Sequence, residues 1–325
     1  MEKRYPNTIM ATACIPWNEE FQFDEASFRR QVKQLTDAGI RCIYLFGTAG
    51  EGYAVSREQY QTIVKAFLDQ MKGVPGARPM VGVISLSMSE VIERIETGIK
   101  LGASDFQISF PSWGAVAVNE GIGFLRDVCG KFPAASFMHY NNGPRSKTKL
   151  RFNDYKRICD EIPNLVAVKN PTSDIRELHE LFQEELPLEF FILEFGYGYA
   201  SLFANCGLLI SLLNLNLDHA WKYFDAGKRR DIAAITGYHN DFYKIHNELF
   251  ANIPPGMIDS AYDKSFVKSG IPEFPLRLLP PYTGPADNQY EAFVKAVKAK
   301  APHWKIGETV NMKTGQTPYV KTGVK

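Results

Sequence analysis

In NLVAVKNPTSD (residues 164–174), four apolar residues, Leu165, Val166, Ala167 and Val168, run directly into a lysine, Lys169, followed by Asn170 and Pro171. An unbroken apolar run this short reads as a strand buried on both faces, the kind a parallel sheet uses. A lysine at the tip of such a strand needs no special account by itself, because strand ends are wet and the long side chain can reach solvent. Its neighbours along the chain change that.

Seven more runs of the same kind occur: TIMATACI (8–15), IRCIYLF (40–46), RPMVGVI (78–84), SDFQISF (104–110), AASFMHY (134–140), EFFILE (189–194) and GLLISLL (207–213). Between them lie stretches with helical spacing, such as DEASFRRQVKQLTDAG (24–39), SREQYQTIVKAFLDQMKG (56–73) and NEGIGFLRDVCGKF (119–132). Asp24, Ser56, Asn119 and Asn153 are the expected N-caps, and Gly39, Gly73 and Gly102 the expected stops. Eight strand-then-helix units in about 225 residues predict an α/β fold of the (β/α)8 TIM-barrel type over residues 1–226, rather than a doubly wound sheet. Three further helical patterns, at 233–250, 257–270 and 287–300, predict a C-terminal helical domain over 227–300. The polar, Gly- and Lys-rich stretch 301–325 is expected to be a tail, or an arm laid on a neighbour.

Composition narrows the functional classes. The 325 residues, 45% hydrophobic, can bury one large core or two ordinary ones. With 37 basic against 36 acidic side chains there is no bulk field to hold nucleic acid or an anionic membrane, so a charged ligand must be met locally. The N-terminus lacks a signal-peptide core and no stretch approaches the roughly 18 uninterrupted apolar residues of a membrane span, so a cytoplasmic location is expected. Cys14, Cys42, Cys129, Cys159 and Cys206 are scattered without a CxxC pair, which argues for core residues over disulfides or zinc ligands. There is no HExxH, and His239 and His246, seven apart on a helix, read as surface or packing residues; no metal site is expected.

Barrels of this type collect their chemistry at the C-terminal ends of the strands. There the second run ends in GTAGEG (47–52), the fifth in HYNNGPR (139–145) and the sixth in Lys169. An amine desolvated at that position has its pKa lowered toward neutrality and can form a Schiff base with a 2-keto acid. The protonated imine is an electron sink, so carbon–carbon cleavage or loss of a β-hydroxyl needs no metal and no separate cofactor. Tyr140 can pass a proton to the departing or attacking oxygen, Thr48 can hold Tyr140 in line, and backbone N–H groups of the turn Gly47–Gly50 can take a carboxylate. GTAGEG lacks the GK[ST] ending of a phosphate loop.

With those residues in view, GTAGEGYAVSREQ (47–59) resembles the GTTGE(x)nLSxEE signature of the dihydrodipicolinate synthase / N-acetylneuraminate lyase family of class I aldolases. HYNNGPR is similar to the family's YNxPxR, NLVAVKNPTSD to its lysine motif, GLLISLLN (207–214) to its GxISxxxN, and KSFVKSGIPEFPLRLLPPY (264–282) to its C-terminal pattern. The resemblance implies a (β/α)8 barrel with a C-terminal helical domain, assembled as a homotetramer (a dimer of dimers). It implies Lys169 as the imine-forming lysine and Tyr140 as the proton-transferring tyrosine. Thr48 with the Ala49 N–H would be the keto-acid carboxylate site, and Ile210 or Ser211 would line the pocket.

Three departures bear on substrate. The second threonine of GTTGE is Ala49, which removes one hydrogen bond. The family's PYY after the fourth strand reads Pro111-Ser112-Trp113, so the synthase's tyrosine relay across subunits cannot form. The motif proline moves one place, to Asn142-Gly143-Pro144, while Arg145 keeps its spacing from Tyr140. The pattern favours an aldolase or dehydratase for a 2-keto-3-deoxy sugar acid or similar 2-keto acid. The lysine-pathway synthase (4-hydroxy-tetrahydrodipicolinate synthase) and a non-catalytic 2-keto-acid-binding protein are the alternatives. Trp113 is expected at the pocket edge, and Arg145 with the basic run to Lys149 could attract a second acidic group or be a solvated loop. Glu51 could be a catalytic acid or brace its turn. FGYGYA (195–200) reads as a turn whose glycines make room for a ligand or for helix packing; with Leu213 and Asn214 it also admits a phosphate site, as some barrels have.

Overall fold

All eight apolar runs become strands: β1 (Ile9–Thr12), β2 (Cys42–Leu45), β3 (Arg78–Gly82), β4 (Asp105–Ile108), β5 (Ser136–Tyr140), β6 (Leu165–Asn170), β7 (Glu189–Leu193) and β8 (Gly207–Ile210). In the computed structural model, which describes residues 2–307, they pair in parallel and in sequence order, and β8 closes on β1. The helices that carry the chain from strand to strand are α1 (Glu25–Asp37), α2 (Arg57–Met71), α3 (Met88–Leu101), α4 (Val118–Lys131), α5 (Gly143–Ser146), α6 (Phe152–Glu161), α7 (Ile175–Leu181) and α8 (Glu194–Ala200), and α9 (Leu217–Arg229) follows β8. This is the expected (β/α)8 barrel.

Local chemistry sets where the helices start. Asp24 accepts the Ser27 N–H, and Ser56 forms a capping box with Gln59, as expected. Asn119 and Asn153 are not caps. In α4 the Glu120 carboxylate reaches back to the Ala117 N–H (2.6 Å), and in α6 Asp154 does the same for Arg151 (2.8 Å), so each helix begins earlier than expected. A first-turn carboxylate satisfies an orphan donor and favours the positive end of the helix. FGYGYA is helix α8 rather than a turn.

Three more helices follow, α10 (Ile232–Asn252), α11 (Asp259–Gly270) and α12 (Asp287–Lys300). Residue 226, the expected end of the barrel unit, falls inside α9. The start of the expected tail does not hang free: Trp304 is fully buried, stacks on His219 at 4.7 Å and donates to Asp241 (3.1 Å). The remainder of that stretch, 308–325, lies outside the described residues. All five cysteines are free, four of them buried. His239 shares a hydrogen bond with Tyr223 (2.9 Å) and His246 stacks on Phe195, which is the packing role of the two expected. Among the described residues no helix is long and apolar enough to cross a membrane.

Strand parity divides the core. Outward residues such as Ile43, Leu45, Phe106 and Val168 pack under the helices, while Met10, Cys42, Tyr44, Met80, Met138, Ala167, Phe191 and Leu209 fill the lumen. Tyr140 and Lys169, register partners across β5 and β6, have the inward parity of Met138 and Ala167, two residues earlier on each strand. A slip of one residue would turn both away from the lumen.

Glu189, at the start of β7, is buried, and desolvation pushes its carboxyl up to about 8. It accepts from the Asn7 side chain (2.8 Å) through one oxygen, while the other has no partner. Its folded pKa lies above the unfolded value. The stability its protonated form provides is therefore complete below about pH 4.3 and is lost as pH rises through about 8. Glu189→Gln cannot titrate. Its stability relative to the native chain should rise by on the order of 1–3 kcal/mol between pH 5 and pH 9. Urea midpoints across that range check this, and a pH-independent difference would contradict it.

Candidate active site

The lumen's C-terminal mouth gathers the ends of β2, β5, β6 and β8 with one face of α11. Lys169 is only 4% exposed, and its Nζ donates to the Tyr44 hydroxyl at 2.8 Å. The ammonium also lies 3.8 Å from the Tyr140 ring centroid and 4.3 Å from that of Tyr44. Burial lowers its pKa to about 7, against the opposing pull of Asp259 and Asp263. At neutral pH the amine is therefore neutral about half the time.

Tyr140 is buried beside it. Its hydroxyl lies 3.5 Å from Thr48 Oγ1, the partner expected to align it, and accepts a shorter hydrogen bond from Asn142 Nδ2 at 2.7 Å. Burial, reinforced by the Asp259 charge, raises the phenol to about 12, so it enters a reaction carrying its proton. Gly47 is fixed sterically: a Cβ there would lie 2.5 Å from Tyr44 Cε2 and 3.4 Å from Lys169 Nζ. Gly50 continues the turn. The Ala49 methyl belongs to an apolar cluster with Cys14, Val267, Ile271 and Phe274, so a small apolar side chain fits there.

The other expected residues divide. Ile210 is buried at the end of β8, and Ser211 Oγ donates to Asp263 Oδ1 at 2.5 Å. Arg145, half exposed on α5, is bound to Asp259 (3.0 Å). The basic run after it is no open cationic patch, because Lys147 donates to the Trp113 carbonyl (2.6 Å) and Lys149 pairs with Glu177 (2.5 Å). Trp113, on the loop after β4, is 84% exposed. Glu51 is fully buried and ion-paired to Lys264, which makes it the brace of its turn.

The phosphate reading of FGYGYA fails on chemistry. The N–H groups of Ser211 and Leu213 are already taken by the buried Glu194 carboxylate, which an anion would have to displace. A Cβ at Gly198 would overlap His239 and Tyr223, so this glycine serves helix packing.

Sequence reasoning missed Tyr44, Asn142, Glu194, Asp259 and Asp263 as parts of the mouth. Burial raises Glu194 and Asp263 to about 7 each, with Asp259 and Glu194 adding to the effect on Asp263. Tyr44 sits inside an apolar run and reads as core; the two aspartates are four residues apart on one face of α11, the only signal that they act together.

Comparison with known proteins bears on this arrangement. The model of the dihydrodipicolinate synthetase family matches residues 5–300. The 4-hydroxy-tetrahydrodipicolinate synthase of Methanopyrus kandleri is 23% identical over 283 residues, covering 83% of this chain and 90% of its own. The trans-O-hydroxybenzylidenepyruvate hydratase-aldolase of Pseudomonas putida is 29% identical over 167 residues, covering 50% of this chain and 49% of its own. Among solved structures, YagE, a prophage protein of E. coli K12 belonging to the dihydrodipicolinic acid synthase family and determined in complex with pyruvate, superposes with a TM-score of 0.75. It is 15% identical, and the match covers 92% of this chain and 99% of that one.

Proposed function

The chain belongs to the dihydrodipicolinate synthetase family, and from that premise we propose that it is a Schiff-base-forming aldolase or dehydratase acting on pyruvate or a 2-keto-3-deoxy sugar acid through Lys169. The observation that carries the reading is a buried amine with a pKa of about 7, held against the ring of Tyr140. In the first step the neutral amine attacks the keto carbon. The N–C bond forms, the carbonyl pair moves onto oxygen, and that oxygen takes up protons and leaves as water. For cleavage, the C4 hydroxyl gives its proton to Tyr140, whose own proton left with the water of the first step; the C3–C4 bond breaks into the imine, an aldehyde departs, and C3 of the resulting enamine takes up that proton to restore the imine. For dehydration, Tyr140 in the same state takes a proton from C3 and passes it to the C4 hydroxyl, which leaves as water. Water then hydrolyses the imine and returns the amine. Only lysine and acid–base groups are used.

Thr48 and the Ala49 N–H take the substrate carboxylate in this reading, with Gly47 and Gly50 shaping the turn and Ile210 and Ser211 bounding the pocket. Arg145 and Trp113 stand at the rim. The hydratase-aldolase relative supports aldol and hydration chemistry, and the absence of the relay tyrosine at Ser112 and Trp113 disfavours the synthase. The reading extends to a homotetramer, carried by the family alone, and to a cytoplasmic setting, carried by composition.

Borohydride reduction in the presence of pyruvate should leave a pyruvate-derived adduct on Lys169 in a peptide map. An unmodified Lys169 in protein that turns substrate over would sink the proposal. Ala49 and the missing tyrosine favour a second reading, a keto-acid binder without turnover. A panel of 2-keto acids, followed by pyruvate release and by water loss, separates the two, since turnover of any member rejects the binder.

A further inference from the structure

We propose that Tyr44 is a positioning residue for Lys169, its hydroxyl holding one N–H of the amine so that the lone pair faces Tyr140 and the Thr48 turn, where the keto carbon would arrive. The inference rests on the imine reading and adds a residue to it. Its geometry begins with parity: Cys42 and Tyr44 on β2 face the lumen while Ile43 and Leu45 face the helices. The Tyr44 ring then fits against the Gly47 turn so closely that a Cβ at Gly47 would sit 2.5 Å from Cε2. Ring and turn therefore fix each other. From that fixed ring the Oη accepts the Lys169 N–H at 2.8 Å, fully out of water.

An amine nitrogen has four tetrahedral directions. One is the bond to Cε, and Tyr44 fixes a second. The lone pair is left with two, both away from Tyr44. The same bond gives the ammonium form an acceptor, and the two phenol faces at 3.8 and 4.3 Å add cation–π attraction. The groups that bear electrostatically on this nitrogen are Tyr44 from β2, Tyr140 from β5, and Asp259 and Asp263 from α11. Burial holds both phenols in the protonated form, so Tyr44 acts through its dipole and not as a counter-anion. Both phenols come from the same chain as the lysine.

Tyr44→Phe tests this, because it keeps the ring against Gly47 and removes only the acceptor; a matching melting curve confirms the fold. Reductive methylation of Lys169 with formaldehyde across pH, followed by mass spectrometry, reads its titration midpoint without any substrate. Loss of the acceptor should lower that midpoint by about one unit. Where the amine is fully neutral, pyruvate trapping by borohydride should slow about tenfold through lost orientation, with little change in the pyruvate concentration for half-saturation. An unmoved midpoint overturns the proposal. If the midpoint moves but native protein never traps pyruvate at Lys169, the imine reading fails and the Tyr44 contact stands.

Discussion

Lys169→Met is expected to abolish turnover and, at neutral pH, to make the fold more stable. The loss of activity follows from the nitrogen itself. An ordinary exposed lysine is neutral at pH 7 in only about one molecule in a few thousand, whereas an amine with a pKa of about 7 is neutral in about half. Burial thus supplies roughly three orders of magnitude in reactive amine before any orientation effect, and methionine forfeits all of it. Among the described residues the other buried lysine, Lys264, is tied to Glu51 and cannot substitute. The gain in stability has the same origin. The folded pKa lies below the unfolded value of about 10.4. The native state therefore releases a proton that the unfolded chain keeps, and the penalty is complete below about pH 7 and vanishes above about pH 10.4. Methionine removes the penalty, so the variant should gain on the order of 2–4 kcal/mol at pH 6 and almost nothing at pH 10.5. Denaturant melts at the two pH values, with the activity panel, check both halves. A variant that keeps measurable cleavage, or whose gain is the same at both pH values, would contradict the role given to this amine.

What the sequence made legible follows from which interactions are local. Each strand is a contiguous apolar run, so order and number could be read directly, and parity then carried Lys169 and Tyr140 to the same mouth. Thr48 was found because its turn is a contiguous motif. Asn119 and Asn153 are not caps because the carboxylates of Glu120 and Asp154 reach back to the Ala117 and Arg151 N–H groups and start each helix two residues earlier. Tyr44 was hidden by being apolar in pattern and polar in use. Asp259, Asp263 and Lys264 reach the mouth from α11, far along the chain from their partners Arg145, Ser211 and Glu51, and no local periodicity encodes such pairings. The basic run from Arg145 looked like a binding surface because its acidic partners, Asp259 and Glu177, are distant in sequence.

Lys264→Met is the second large effect expected, this time on stability. Lys264 and Glu51 are both fully buried and meet at 2.5 Å, and Lys264 also donates to the Arg277 carbonyl. Glu51 accepts in addition from Trp17 Nε1 (3.0 Å) and the Leu279 N–H (2.7 Å). These bonds hold Glu51 at φ +54°, a left-handed conformation costing a non-glycine residue on the order of 1 kcal/mol. Removing the ammonium leaves a buried carboxylate with two neutral donors, and breaking such a pair costs about 3–5 kcal/mol. Adding Glu51→Gln removes the stranded charge, so the double variant should be more stable at pH 7 than Lys264→Met alone. Function is coupled to the same pair, because the Glu51 N–H donates to the Thr48 carbonyl at 3.1 Å and closes the turn that presents Thr48 to Tyr140. Lys264→Met should still trap pyruvate on Lys169 while losing turnover, since the imine depends on the lysine and the later proton transfer on the turn. Unfolding midpoints of the two variants at pH 7, beside trapping and turnover, decide it. A single variant as stable as the native chain at pH 7 would mean that hydrophobic packing, not this ion pair, fastens α11 to the barrel mouth.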